Sequence, residues 1–157
     1  STRDWSSDVC SSDLDTRKPF LPNEQYHFSI SHCGEYAAAI VSTTHRVGID
    51  IENPSEKVVR IMHKFLNESE IATPLLLTSD FRLPTLLWCA KESMFKWWGF
   101  GNVDYRTNLL LQHINLTDEG IINALFTKDE VNVPLQLQYK IFAVNLCMCW
   151  VAKANHS

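Results

Sequence analysis

The sequence predicts an α+β fold, with an antiparallel sheet packed on helices. Runs rich in Val, Ile and aromatic residues fall between residues 26 and 52 and again between 108 and 152, while the apolar spacing from 55 to 99 is helical. Three strands, then helices, then more strands is the segregated order of an α+β layer design. A chain of 157 residues, 45% hydrophobic and 20% charged, has the size and composition of an ordinary globular domain.

Residues 1–14 read STRDWSSDVCSSDL, rich in Ser and Asp and without helical or strand period. From Asp4 onward they resemble the translation of a sequencing-library adapter. They are therefore expected to be a non-native scar outside the fold, and Trp5 and Cys10 carry no functional weight. Lys18-Pro19 opens a loop that continues through Pro22 and Asn23. Residues 26–30 alternate and are aromatic, as in a strand, and Cys33-Gly34 makes a turn. Residues 36–42, YAAAIVS, read as a strand buried on both faces. His45-Arg46 turns again, and residues 47–52, VGIDIE, form a third strand.

Val58, Val59, Ile61, Met62 and Phe65 have helical spacing over 55–65. Asn67-Glu68-Ser69-Glu70 has the form of a capping box opening a short helix. Pro84 suits the first turn of the next helix, which runs through LLWCAKESMFKWW and stops at Gly99. Residues 108–116, 121–126, 136–142 and 145–152 read as strands, with a turn at Asp118-Glu119-Gly120.

The net charge of −4 argues against a nucleic-acid partner, which wants a basic face. No apolar run is long enough for a membrane span, and none reads as a signal peptide. The five cysteines show neither metal-ligand spacing nor a disulfide framework, which fits a reducing cytoplasm. Cys147 and Cys149 lie in an apolar run and read as buried thiols.

Chemistry gathers at two places. Asp50 and Glu52 are two apart on a strand, so both side chains share a face, with Ile49 and Ile51 on the other. Paired carboxylates repel unless a cation sits between them, and Mg2+ is a hard ion that takes oxygen ligands. The same pattern also describes solvated acids at a strand end. Glu92 and Lys96 are four apart on a helix, with Trp88 on the same stripe. They read either as a surface pair worth about 0.3 kcal/mol or as buried functional groups. The apolar surroundings of Leu86, Leu87, Met94, Phe95, Trp97 and Trp98 favour burial. Ser31-His32 follows the first strand at a turn; His32 is either a satisfied loop histidine or a phosphate contact. Cys33 beside it lacks an evident third group to orient a thiolate–histidine pair.

Taken in order, Lys18-Pro19, FSISHCGEYAAAIVS, VGIDIE and WCAKESMFKWWG are similar to the signature series of the 4'-phosphopantetheinyl transferase superfamily, in its larger pseudo-dimeric form. That series is Gly-Lys-Pro, Ser-His, Gly-(Val/Ile)-Asp-x-Glu and Trp-x-x-Lys-Glu-x-x-x-Lys. Each motif is weak alone; four in order are specific, and together they cover about residues 17–100. Arg17 stands in place of the glycine before Lys18, and Ser93 in place of a small alanine after Glu92.

The resemblance implies that Asp50, Glu52 and Glu92 hold Mg2+. Glu92 and Lys96 would be catalytic, and Lys18, Ser31, His32 and Lys96 would contact the phosphates of the co-substrate coenzyme A. Trp88 would be packing. The resemblance further implies a transferase lobe over 47–157, a remnant of an N-terminal lobe over 15–46, and a first lobe mostly missing. Such a chain is expected to self-associate through the face so exposed. The implied reaction moves phosphopantetheine onto a serine of an acyl or peptidyl carrier protein and releases 3',5'-ADP. Lys57, Arg60 and Lys64, at roughly helical spacing, would form a basic rim for an acidic carrier or simply a solvated face. Alternatives are an inactive fragment, a non-catalytic carrier-protein or interaction domain, and an unrelated Mg2+ phosphohydrolase.

Overall fold

The computed structural model describes residues 26–72 and 80–154. In chain order the elements are β1 (His27–Cys33), β2 (Tyr36–Ser42), β3 (Arg46–Glu52), α1 (Glu56–Arg60), α2 (Met62–Phe65), α3 (Glu68–Ile71), α4 (Arg82–Trp98), β4 (Leu109–Leu111), β5 (Glu119–Lys128), β6 (Val131–Phe142) and β7 (Leu146–Lys153). The strands form an antiparallel hairpin, β1-β2, and a five-stranded antiparallel sheet in the order β3-β7-β6-β5-β4. The α+β class expected from the sequence is the class observed. Residues 1–25, with Lys18 and the adapter-like segment, lie outside the described part.

The main core forms where α4 and the short helices meet the inner face of the sheet. Leu86, Met94 and Trp97 from the helix pack with Ile122, Phe126, Leu137 and Cys149 from the strands. β6 alternates exposed and buried along nearly its whole length, as a strand with one wet face must. α4 ends where Gly99 takes a left-handed φ of 79°, which costs glycine nothing. Beyond that end, the Arg46 guanidinium donates to the Trp98 carbonyl and lies 4.6 Å from the Phe100 ring centre. The start of β3 is thereby tied to the end of α4. No helix among the described residues is long and apolar enough to cross a membrane.

Gly48 sets the distance between β3 and α4. A Cβ at this position would lie 2.0 Å from the Ser93 carbonyl oxygen and 2.7 Å from the Trp97 amide nitrogen. With hydrogen alone in that space, the helix backbone rests directly on the strand. Ser93 Oγ shares its one proton between the Cys149 carbonyl of β7 at 2.7 Å and the Cys89 carbonyl of its own helix at 2.9 Å.

β1 approaches the other edge of β3 without joining its ladder. Side-chain hydroxyls replace the backbone carbonyls of a strand partner. Ile49 N–H donates to Ser29 Oγ and Ile51 N–H to Ser31 Oγ, each at 3.1 Å. Both serines are buried, as the i, i+2 spacing of one strand face requires.

Several boundaries differ from the sequence reading. β2 is not buried on both faces: Tyr36 is 42% and Val41 65% exposed, because β2 is the outer strand of a two-stranded unit among the described residues. Ser31-His32 lies inside β1 rather than at a turn; the turn falls at Gly34-Glu35, with Gly34 at φ 59°. The helix expected over 55–65 breaks at Ile61 into α1 and α2. The strand expected over 108–116 is only Leu109–Leu111, and Glu119 and Gly120 belong to β5 rather than to a turn. The capping box is present, with Asn67 and Glu70 each bonded to the other's backbone N–H.

Candidate active site

Period two places Gly48, Asp50 and Glu52 on one face of β3, the face toward α4. Gly48 lets the helix in, and the two acids beyond it meet the helix side chains. Lys96 Nζ donates to Asp50 Oδ1 at 3.1 Å, and Trp88 Nε1 donates to Glu52 Oε1 at 3.2 Å. Residues 88, 92 and 96 recur every four positions on one stripe of α4, so Glu92 is on this side too. Tyr105, from the loop after α4, donates its hydroxyl to Glu92 Oε1 at 2.7 Å. All three acids are buried, with Asp50 1%, Glu52 9% and Glu92 2% exposed.

Three carboxylates crowded away from water are electrostatically costly. Burial first, then the neighbouring charge of Asp50, pushes the Glu52 carboxyl well above the usual carboxylate range; the charge of Glu92 adds to the effect. Asp50 Oδ2 is buried with no hydrogen-bond donor among the described residues. Its other oxygen accepts from both Ser31 and Lys96. Among the described residues no three such groups stand at coordinating separation, and each carboxylate is turned toward a protein donor. The donor set nevertheless fits a small hard dication. It consists of oxygens on rigid elements, carries an excess of buried negative charge, and leaves one oxygen unsatisfied.

Lys96 also donates to the carbonyls of Ile30 at 3.2 Å and Ile49 at 3.0 Å. It therefore bridges β1, β3 and the acid cluster. Ser31 enters the cluster through Asp50, whereas His32 on the opposite face of β1 is exposed, its ring making no hydrogen bond to a described residue. Lys57, Arg60 and Lys64 are all exposed on α1 and α2. Lys91 pairs with a different acid, Glu70. It is fully buried and donates to Glu70 Oε1 and the Tyr105 carbonyl, each at 2.7 Å.

Cys33, Cys89, Cys147 and Cys149 are buried and unpaired. Burial pushes the Cys147 thiol up to about 12 and raises Cys89 and Cys149 as well, so these three are packing groups rather than nucleophiles.

Sequence reasoning missed two polar partners. Trp88 is packed against Phe65 and Tyr105, as expected of an apolar residue, but its indole N–H also orients Glu52. Its place one turn before Glu92 was the available signal. Tyr105 lies in an aperiodic loop, and nothing in its sequence neighbourhood points to Glu92.

A family model described as the 4'-phosphopantetheinyl transferase superfamily matches residues 46–151. That span runs from β3 into β7 and includes Asp50, Glu52, Glu92 and Lys96, while β1 and β2 precede it. A curated protein named 4'-phosphopantetheinyl transferase gsp, from Aneurinibacillus migulanus, is 36% identical over 86 residues. The match takes in 54% of this chain and 35% of that protein's length.

Proposed function

The chain belongs to the 4'-phosphopantetheinyl transferase superfamily, and from that premise we propose that its acid cluster serves transfer of the phosphopantetheine group of coenzyme A to a serine of an acyl or peptidyl carrier protein. The observation that carries this reading is the gathering of three buried carboxylates between β3 and α4, with Asp50 Oδ2 lacking a donor among the described residues. Asp50, Glu52 and Glu92 are the residues that would hold Mg2+. When bound, the ion would neutralise charge on the pyrophosphate of coenzyme A.

The chain's own residues position and neutralise. Glu92 takes the proton of the attacking serine hydroxyl. The serine oxygen bonds to the β-phosphorus as the bond to the bridging oxygen breaks, and 3',5'-ADP departs. Lys96 brings an ammonium beside Asp50, where it steadies the phosphate and screens or protonates the departing oxygen. Ser31 holds Asp50, and Trp88 holds Glu52. Lys18 and His32 are assigned to the coenzyme's phosphates. The exposed Lys57, Arg60 and Lys64 face an acidic carrier. A cytoplasmic location belongs to the same reading.

The test is incubation with coenzyme A, Mg2+ and a panel of apo-carrier proteins, with the carriers weighed by intact mass spectrometry. Addition of phosphopantetheine to a carrier, lost with chelator and in Asp50→Ala, is the expected result. Coenzyme A turnover that is indifferent to chelator and to Asp50→Ala would sink the reading.

A further inference from the structure

We propose that Tyr105 is a positioning residue for the acid cluster: its hydroxyl fixes the carboxylate plane of Glu92 for a divalent cation. The proposal rests on the cation-site reading above and adds a residue from outside the strand and helix motifs.

Tyr105 is held at each of its ends. Its carbonyl accepts from the buried Lys91 ammonium at 2.7 Å. Its ring lies 5.6 Å from the ring centre of Trp88 and 5.6 Å from that of Phe95. Its hydroxyl donates to Glu92 at 2.7 Å. Trp88, Lys91, Glu92 and Phe95 form one i, i+3, i+4, i+7 stripe of α4, so one helix face grips the tyrosine backbone, ring and hydroxyl together.

The loop that delivers Tyr105 is itself built. Gly99, Gly101 and Asn102 take left-handed φ of 79°, 64° and 53°, which turns the chain back along the helix. Asp104 then closes a turn, through bonds between its N–H and Asn108 Oδ1 and between its own carboxylate and the Arg106 N–H. At 2% exposure, Tyr105 gains nothing from its hydroxyl in packing, since phenylalanine would fill the same space. What the oxygen adds is a hydrogen bond to a buried carboxylate. Outer partners of this kind typically govern metal affinity by about 10- to 100-fold.

The experiment is Mn2+ titration, followed by electron paramagnetic resonance, of the wild-type chain and of Tyr105→Phe. Thermal unfolding is measured on the same samples. The expected result is Mn2+ affinity at least about tenfold weaker in Tyr105→Phe, with a modestly lowered melting temperature and a protein still fully folded where the titration is made. In the transfer reaction, the loss should be recovered at high Mg2+ and should not appear in the KM for coenzyme A. Equal Mn2+ affinity in the two proteins would overturn the role of Tyr105 and leave the cation site standing. Loss of affinity that merely follows loss of folded protein would also overturn it, since that is packing. A wild-type chain that binds no Mn2+ would overturn both.

Discussion

Replacing Gly48 by alanine should separate β3 from α4 and with it dismantle the acid cluster. The added Cβ would stand 2.0 Å from the Ser93 carbonyl oxygen, where ordinary contact begins at 3.4 Å. Strand and helix must therefore part by more than about 1 Å, and neither neighbouring atom belongs to a flexible side chain. The Ser93 carbonyl and the Trp97 N–H are one i, i+4 rung of α4, so the methyl also wedges into a helix hydrogen bond. Overpacking typically costs about 1–3 kcal/mol; rigid backbone on both sides puts this case at about 3 kcal/mol or above. For a chain of this length that lowers Tm by about 6–12 °C. The Lys96–Asp50 and Trp88–Glu52 bonds cross the same gap and should weaken together. Circular dichroism melting and Mn2+ titration read the two effects. A Gly48→Ala protein that melts with the wild type and binds Mn2+ equally would refute the close-approach reasoning.

Two further perturbations test the surroundings of the cluster. Burial lowers the Lys91 ammonium to about 8 despite the opposing pull of Glu70. Between that value and 10.5 the unfolded chain binds more protons than the folded one, so stability should rise with pH across that window. The rise is on the order of 3 kcal/mol and should be missing from Lys91→Met in urea unfolding; parallel pH profiles for the two proteins would contradict it. Ser31→Ala removes both the acceptor for the Ile51 N–H and a donor to Asp50. A cost of about 1–3 kcal/mol is expected, with faster hydrogen exchange at the Ile51 amide; unchanged exchange there would show that β1 does not depend on its serine hydroxyls.

What was legible in the sequence was written locally. Period two put Asp50 and Glu52 on one face, helical spacing put Trp88, Glu92 and Lys96 on one stripe, and Gly99 marked where α4 stops. The Asn67–Glu70 capping box needs only four residues and was found where it was read. Features decided by distant neighbours were not legible. The run YAAAIVS looks fully buried, yet its burial depends on which strands flank β2, and among the described residues only β1 pairs with it. The strand read over 136–142 in fact begins at Val131 and runs through Pro134. The strand extends past that point because β7 pairs with β6 only from Gln138 to Phe142, so Pro134 needs no partner on that side. Glu52 and Glu92 were singled out by spacing and motif, but their partners Trp88 and Tyr105 are brought to them only by the packing of α4 on β3 and by the loop that follows.

Anomalous diffraction from crystals soaked in Mn2+, a hard-ligand substitute for Mg2+, asks most directly whether Asp50, Glu52 and Glu92 share one ion. A single peak between β3 and α4, bound by oxygens of at least two of these three residues and absent from Asp50→Ala crystals, is the result predicted. Mn2+ held elsewhere, with all three carboxylates still on Ser31, Lys96, Trp88 and Tyr105, would contradict it.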